Sequence, residues 1–220
     1  DPSMSGTDSS DSDPSDSDSD SDTGHTTGDP CEEMGDNLVD NGSFEIPVVM
    51  SPAHWDIYTD AEIPGWHMKW LNGGACDPDD PVTEPVVELQ QNLHAIAVDG
   101  IQYAELDSDC QGPAHNANTD EETTIRLFQE IDTSVGAKFE IRFWARARPN
   151  VPGAQLITAT FGSAQLLTDV PAPASWTEYV FVVEIDADIT TIAFADTGVP
   201  NSLGVFLDHV QVYAIDAQCP

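Results

Sequence analysis

The chain has 220 residues, of which 40 are acidic and only 6 are basic, for a formal net charge of −34. Lys and Arg supply the affinity of proteins for nucleic-acid backbones and anionic lipids, so this balance excludes nucleic acid as a partner and disfavours adhesion to anionic lipid. It permits calcium, cationic partners and neutral sugars, and it also suits a solvated surface adapted to a salty habitat.

Residues 1–30 form a low-complexity acidic segment. They hold nine acids, mostly Asp alternating with Ser, and almost no hydrophobic side chain. Such a segment cannot bury enough apolar surface to offset its chain entropy, so we predict a disordered acidic linker that precedes a domain over 31–220. The start Asp1-Pro-Ser-Met4 shows no signal peptide and is typical of a processed or truncated N-terminus. No apolar run is long enough for membrane insertion.

The chain has four cysteines, and none forms a Cys-x-x-Cys pair of the zinc or thioredoxin type. An even number favours an oxidising compartment and two disulfides, hence a secreted or cell-surface protein tethered by the linker. Of the three possible connectivities we favour Cys31–Cys219, which joins the ends of the domain, and Cys76–Cys110, which joins two long loops. The alternative is four buried thiols in a cytosolic protein.

From Cys31 onward the pattern is one of short alternating segments separated by Gly, Pro, Asn and Asp clusters, without a helical stripe. This pattern predicts an all-β fold, a jelly-roll β-sandwich. The predicted strands are 37–45, 65–70, 86–90, 101–107, 123–131, 137–148, 154–161, 176–185, 189–195 and 204–215.

The first and last of these segments carry carboxylates, Glu45 and Asp208, within an apolar alternation. If the two strands lie side by side, the two carboxylates can share one hard cation and hold the ends of the domain together.

The strand at 137–148 has one apolar face and one face with Trp144, Arg146 and Arg148. An outward tryptophan among arginines is costly in water unless it contacts something. Either this face binds a ligand, or loops cover it and its arginines pair with nearby acids.

Other polar and aromatic side chains alternate onto single faces in the same way, Tyr103, Glu105 and Asp107 among them. A sugar site combines an aromatic platform with such polar partners. Trp55, in a long loop, is the expected exposed platform, whereas Trp66 is expected to anchor the core. The predicted ligand-binding residues are Trp55, Trp70, Glu88, Tyr103, Glu105, Asp107, Trp144, Arg146 and Arg148.

Glu105 and Asp107 also allow a catalytic interpretation, because they could act as paired carboxylates in glycoside hydrolysis. Ion pairing with Arg146 or Arg148 suits them equally well. The sequence shows no nucleophile-elbow motif and no metal-ligand spacing of histidines, so we predict a protein without enzymatic activity.

The chain contains an ordered series of motifs that resembles the galactose-binding-like β-sandwich superfamily, in particular its secreted bacterial and plant cell-wall domains. The series is also similar to calcium-containing carbohydrate-binding modules. The motifs are Asn37-Leu-Val-Asp-Asn-Gly-Ser-Phe-Glu45, Ile63-Pro-Gly-Trp66, Gly100-Ile-Gln-Tyr-Ala-Glu-Leu-Asp107, Leu127-Phe-Gln-Glu-Ile131, Ala147-Arg-Pro149 and Gly204-Val-Phe-Leu-Asp-His-Val-Gln-Val212.

The resemblance implies antiparallel first and last strands and a structural Ca²⁺ held by Glu45 and Asp208, completed by carbonyls of Asp40, Asn41 and Ser43. We therefore expect a secreted, calcium-stabilised carbohydrate-binding domain whose partner is a polysaccharide. The alternative is a structural or adhesive surface protein that self-associates through its tail or a sheet edge. An open face around Trp144 favours the first, and a face filled by another chain favours the second.

Overall fold

A computed structural model of the chain describes residues 35–71, 76, 83–113, 123–151 and 153–215. The predicted linker over 1–30 and the domain boundary at residue 31 lie outside these ranges and stay predictions. In the described part of the chain every regular element is a strand, and no helix is long and apolar enough to span a membrane. The strands are β1 Trp55–Thr59, β2 His67–Trp70, β3 Val86–Gln91, β4 Gln102–Glu105, β5 Ile125–Asp132, β6 Lys138–Ala147, β7 Leu156–Phe161, β8 Ala164–Pro171, β9 Thr177–Glu184, β10 Ile189–Asp196 and β11 Val205–Ile215.

The strands form two antiparallel sheets packed face to face. The six-stranded sheet has the order β1-β3-β4-β11-β6-β9, and the five-stranded sheet has the order β2-β5-β10-β7-β8. Apolar side chains from the inner faces of both sheets make one core. The predicted all-β jelly-roll sandwich is confirmed.

Strand β6 shows how alternation in the sequence sets the two faces. Phe139, Ile141, Phe143 and Ala145 are 0–3% exposed and point into the core. The residues between them therefore point outward, where β6 lies between β11 and β9. This position, next to the edge strand β9, places the arginines of β6 on the outer face of the six-stranded sheet.

The opening segment 37–45 is a turn and not the predicted strand, because Asn41 and Phe44 adopt left-handed φ angles of 49° and 57°. It nevertheless lies alongside β11, where the Val210 amide donates to the Gly42 carbonyl at 2.9 Å. A Cβ on Gly42 would lie 2.1 Å from the Val210 carbonyl oxygen, so this close approach requires glycine. The expected adjacency of the two ends is therefore present without strand geometry.

Two strands were not predicted. Trp55 begins the edge strand β1 and is not in a loop, and β8 lacks the alternation that would have indicated it. Trp66 is the core anchor that its motif suggested. It is fully buried, its ring stacks on Phe44 at 5.3 Å, and its Nε1 donates to the Asn41 carbonyl at 3.1 Å.

The predicted disulfide between Cys76 and Cys110 is present, with a Cα–Cα distance of 5.6 Å. The predicted Cys31–Cys219 bond lies outside the described residues.

Candidate functional site

The outer face of the six-stranded sheet gathers polar and aromatic side chains in one row. Glu88 on β3 is directly opposite Glu105 on β4, which is opposite Phe206 on β11, which in turn is opposite Arg146 on β6. Directly opposed residues of antiparallel strands lie close enough for their side chains to touch. Pairing of four strands therefore builds this site from distant parts of the sequence.

Two carboxylates of this row form a buried charge network. Glu88 is 3% exposed and Glu105 is fully buried. The Gln90 side-chain amide donates to both of them. Arg148 Nη1 lies 2.7 Å from one oxygen of Glu105, and the Gly204 amide donates to the other at 2.6 Å.

Burial raises the pKa of both carboxyl groups. The pKa of Glu88 rises well above its usual range through burial and through the charge of Glu105. Burial raises the pKa of Glu105 to about 7, although Arg148 acts in the opposite direction. Glu88 therefore keeps its proton, and Glu105 carries a charge that Arg148 balances only once the pH rises through about 7. Because both groups are enclosed, neither is placed to reach a glycosidic oxygen.

The loop over 92–101, which connects β3 to β4, lies across this face. The Tyr103 hydroxyl accepts hydrogen bonds from the His94 and Ala95 amides at 3.0 and 3.1 Å and donates to Gln90 at 2.9 Å. Trp176 Nε1 donates to the Ile96 carbonyl at 2.7 Å. The chain's own loop thus fills the centre of the face.

An aromatic layer covers the network beside this loop. Trp176 packs against Tyr103 and Phe206 with ring centroids 5.6 and 6.5 Å apart, and Arg146 lies over the Trp176 ring at 5.9 Å. His94 stacks on Phe206 at 6.4 Å. The face therefore presents half-buried aromatic and guanidinium surface at its boundary with solvent.

His94 is held as a neutral base. Its Nε2 lies 3.0 Å from Arg148 Nη2, and a guanidinium can only donate, so Nε2 accepts and the proton is on Nδ1. Burial and the Arg148 charge lower the pKa of His94.

A cavity of about 540 Å³ opens at the end of β6, next to this network. Arg148 and Asn150 line it from one side and Ala172 and Ala174 from the other. The Gln155 side chain also lines it, but is committed to the backbone of Arg148, accepting from its N–H at 2.6 Å and donating to its carbonyl at 3.0 Å. The polar groups left to meet a ligand are those of Arg148 and Asn150.

The structure brings together five of the predicted ligand-binding residues: Glu88, Tyr103, Glu105, Arg146 and Arg148. Trp144 lies on the same face, between Asp208 on β11 and Glu178 on β9.

Of the other three predicted residues, Trp55 lies at the edge of this group and Trp70 and Asp107 lie apart from it. Trp55 is half-buried on the edge strand β1, opposite Gln90. Trp70 belongs to the five-stranded sheet and packs against the core, so it is not on this face. Asp107 is fully buried and accepts from the Thr123 hydroxyl at 2.7 Å and the Asn201 amide at 2.8 Å, which makes it part of the loop structure.

Five members of the site were not among the predicted ligand-binding residues: Gln90, His94, Asn150, Trp176 and Phe206. The alternation of β11 puts Phe206 on the same side as Asp208, and this signal could have found it. Nothing in the sequence distinguishes His94 from other loop histidines.

The predicted calcium ligands Glu45 and Asp208 both bind the far end of the same loop. Glu45 accepts from the Ile101 and Gln102 amides, each at 2.8 Å, and Asp208 accepts from the Val98 amide at 2.6 Å. Burial raises the pKa of Asp208 to about 7.

The other expected ligands fit calcium poorly in this arrangement. The carbonyl of Asp40 accepts from Gln129 at 3.0 Å, and that of Asn41 accepts from Trp66 at 3.1 Å. Within the described residues no group of three or more His, Cys, Asp or Glu is arranged to hold a metal ion. Calcium at Glu45 and Asp208, with Asp40, Asn41 and Ser43, stays a prediction.

Three solved structures are similar to this chain. The chain is similar to the CBM22-1 xylan-binding domain of Paenibacillus barcinonensis Xyn10C, with 14% identity, a TM-score of 0.45, and coverage of 84% of this chain and 98% of that one. It is similar to TmCBM61, solved in complex with beta-1,4-galactotriose, with 14% identity, a TM-score of 0.41, and coverage of 82% and 99%. It is also similar to a CBM4 structure, with 16% identity, a TM-score of 0.41, and coverage of 80% and 99%. No protein-family model and no curated protein matches the sequence.

Proposed function

We propose that this domain binds polysaccharide without cleaving it, at the cavity beside Arg148. The observation that carries the proposal is the buried network of Glu88, Gln90 and Glu105, which holds the guanidinium of Arg148, a residue that lines that cavity. A guanidinium held by a buried carboxylate needs no reorganisation to donate to ring hydroxyls, which lowers the cost of binding.

The chemistry of the face favours sugar over the other partners of an extracellular domain. The net charge of −34 disfavours polyanions at large, and the cavity mixes short apolar side chains with the few donors of Arg148 and Asn150. Such a mixture suits the apolar faces and hydroxyls of a sugar ring. The enclosure of Glu88 and Glu105, the only carboxylates of the network among the described residues, supports binding without catalysis.

The proposal also includes a secreted location and a structural Ca²⁺ held by Glu45 and Asp208. A disulfide between Cys76 and Cys110 supports an oxidising compartment. Glu45 and Asp208 accept hydrogen bonds from amides of the same loop, and two carboxylates on one loop support an ion between them. Calcium binding then requires those amides to turn away from the carboxylate oxygens.

Binding of the full chain to soluble xylan and β-1,4-galactan, measured by affinity electrophoresis and calorimetry, tests the proposal. We expect Asn150→Gly to weaken binding about fivefold through loss of one hydrogen bond, since Asn150 is exposed and its left-handed φ of 61° is a conformation that glycine adopts without strain. Glu130→Gln, on the exposed face of β5, is the control. If a broad glycan panel gives no binding, or if the two variants behave alike, this site is not a sugar site.

A second candidate, self-association, is favoured by one observation. Edge strand β9 exposes Val180 and Val182 by 46% and 59% on a regular eight-residue strand. An exposed, apolar edge strand is a template for pairing with another copy. A concentration-dependent dimer in analytical ultracentrifugation that Val182→Lys abolishes would support this candidate.

A further inference from the structure

A closed ring of hydrogen bonds joins the loop between β3 and β4 to the proposed sugar site. The His94 amide donates to the Tyr103 hydroxyl at 3.0 Å, and this hydroxyl donates to the Gln90 side-chain oxygen at 2.9 Å. The Gln90 side-chain nitrogen donates to Glu105, which also accepts from Arg148 Nη1 at 2.7 Å. Arg148 Nη2 lies 3.0 Å from His94 Nε2, so the ring closes at the residue where it began.

Each contact in this ring has one direction. A guanidinium can only donate, so Glu105 and His94 Nε2 both accept from Arg148. Burial raises the pKa of Tyr103 to about 12, so its hydroxyl keeps the proton that it donates to Gln90. The ring closes only when His94 is neutral, because an imidazolium has no acceptor nitrogen.

Two contacts at different nitrogens fix the orientation of the Arg148 guanidinium. Glu105 binds Nη1 and His94 binds Nη2. One contact alone leaves the planar group free to rotate about it, whereas two contacts fix the plane. The side chain is 16% exposed, and these contacts use two of its five N–H groups. Among the described residues no further hydrogen-bond partner takes the other three, which are left for a ligand of the cavity that Arg148 lines.

We propose that His94 is a positioning residue of the sugar site, whose neutral ring holds Arg148 in the orientation that receives the glycan. The inference rests on the proposed function of the Arg148 cavity, and it adds a residue from the loop over 92–101, which does not line that cavity. Protonation of His94 sets two like-charged donors against each other, so their contact is lost and the guanidinium keeps only Glu105. Glycan affinity therefore falls when His94 takes up a proton.

The surroundings of His94 set the pH range of this effect. Arg148 is the charged group in contact with its ring, Glu105 and Glu88 lie behind that guanidinium, and the ring stacks on Phe206 at 6.4 Å. Burial and the Arg148 charge lower the pKa of His94 below its usual 6.5. The contribution of His94 to affinity is therefore fully present above pH 6.5 and is lost as the pH falls below it. By reciprocity, a saturating glycan lowers the pKa of His94 further.

The test measures the affinity of the full chain for xylan and β-1,4-galactan by calorimetry between pH 5 and pH 8. His94→Phe keeps an aromatic ring beside Phe206 but has no acceptor, and it should weaken binding about two- to tenfold at pH 7.5, as expected when one long side chain must be ordered on binding. His94→Gln keeps an acceptor that does not titrate. It should stay within about twofold of the unmodified chain at pH 7.5 and bind more tightly than that chain at pH 5.

His67→Gln is the matched control, because His67 lies on the other sheet and pairs with exposed Asp60. It should change neither the affinity nor its pH profile. The pKa of Glu105, about 7, lies in the same range, but Glu105 is present in every variant, so the ratio of the affinities of His94→Gln and the unmodified chain at each pH isolates His94. Proton NMR of the His94 ring gives a second readout, since its pKa should fall when glycan is added.

The inference is overturned if His94→Phe binds as tightly as the unmodified chain, if His94→Gln shows the pH profile of the unmodified chain, or if glycan leaves the pKa of His94 unchanged. In each of these cases the chain still binds glycan, so the proposed function stands. If no glycan binds, or if Asn150→Gly and Glu130→Gln behave alike, the proposed function fails and the positioning role fails with it.

Discussion

Glu88 and Glu105 face each other across β3 and β4 and share the side-chain amide of Gln90. Both are enclosed, and within the described residues one guanidinium, that of Arg148, faces them. Two buried carboxylates beside one cation retain one proton between them. The stability of the sandwich is therefore tied to the protonation of this pair.

We expect the free energy of unfolding to decrease from pH 5 to pH 8. Burial raises the pKa of Glu105 from its usual 4.5 to about 7, so the folded state binds this proton more tightly than the unfolded state does. The resulting stability is fully present below the unfolded pKa and is lost as the pH rises through about 7, on the order of 2 kcal/mol in all. Urea unfolding followed by tryptophan fluorescence at constant ionic strength measures it.

Glu88→Gln is the matched variant for this pH effect. Because Glu88 is neutral in the folded state and charged in the unfolded state at pH 7, the amide should cost less than about 1 kcal/mol and should remove the part of the pH dependence that Glu88 contributes, leaving the part that Glu105 contributes. A pH profile identical to that of the unmodified chain would show that Glu88 does not retain its proton on folding.

Arg148→Met should destabilise the fold by about 3–5 kcal/mol at pH 8, because it leaves the charge of Glu105 buried without a partner. Adding Glu105→Gln should recover much of the loss. Arg142→Met, whose ion pair with Glu140 is partly exposed, should cost about 1 kcal/mol or less. Equal losses in the two single variants would contradict the buried network.

Trp66→Ala should cost about 3–5 kcal/mol, since it empties a fully buried site between Phe44 and Phe194. Trp66→Phe keeps the stacking but loses the hydrogen bond to Asn41, so a smaller loss is expected. Trp55→Ala, on edge strand β1, should have the weakest effect of the three. Thermal denaturation ranks them, and a larger loss for Trp55→Ala would reverse the assignment of the core.

Reduction of the Cys76–Cys110 bond should lower stability by about 3–4 kcal/mol, because the bond closes a loop with a sequence separation of 34 residues in the unfolded chain. Urea midpoints of Cys76→Ser/Cys110→Ser and of the unmodified chain give the difference. An unchanged midpoint would mean that the bond does not form in solution.

Calcium should raise the melting temperature, and a chelator should lower it again, by the free energy with which the folded state binds the ion. Asp208→Ala should lower the basal melting temperature through lost loop hydrogen bonds and should also remove the calcium increment. Asp60→Asn, in an exposed loop, should keep that increment. A melt insensitive to calcium in the unmodified chain would show that no structural ion is present.

The strands that could be predicted from the sequence are those in which apolar and polar residues alternate strictly. Strand β6 was predicted at 137–148 and is found at Lys138–Ala147, because its core face is uninterrupted. The segment 37–45 also alternates, but the left-handed φ angles of Asn41 and Phe44 turn it away from strand geometry. Strand β8 has no such alternation and depends on pairing with β7.

The sequence could predict only those features of the candidate site that lie within a single strand. Alternation placed Glu105 and Arg148 on outer faces, but their contact depends on which strands become neighbours. The path of the loop 92–101 across the face depends on partners as distant in sequence as Trp176 and Asp208, and no local pattern encodes those contacts.

Strand β11 is the last strand in sequence among the described residues, yet it lies between β4 and β6 in the six-stranded sheet. During synthesis, β4 and β6 therefore remain open edges of two separate parts of this sheet until the residues of β11 emerge. Open edges invite pairing with other chains. A ribosome-bound nascent chain without β11 should bind chaperones, and insertion of this strand should complete folding in a single late step.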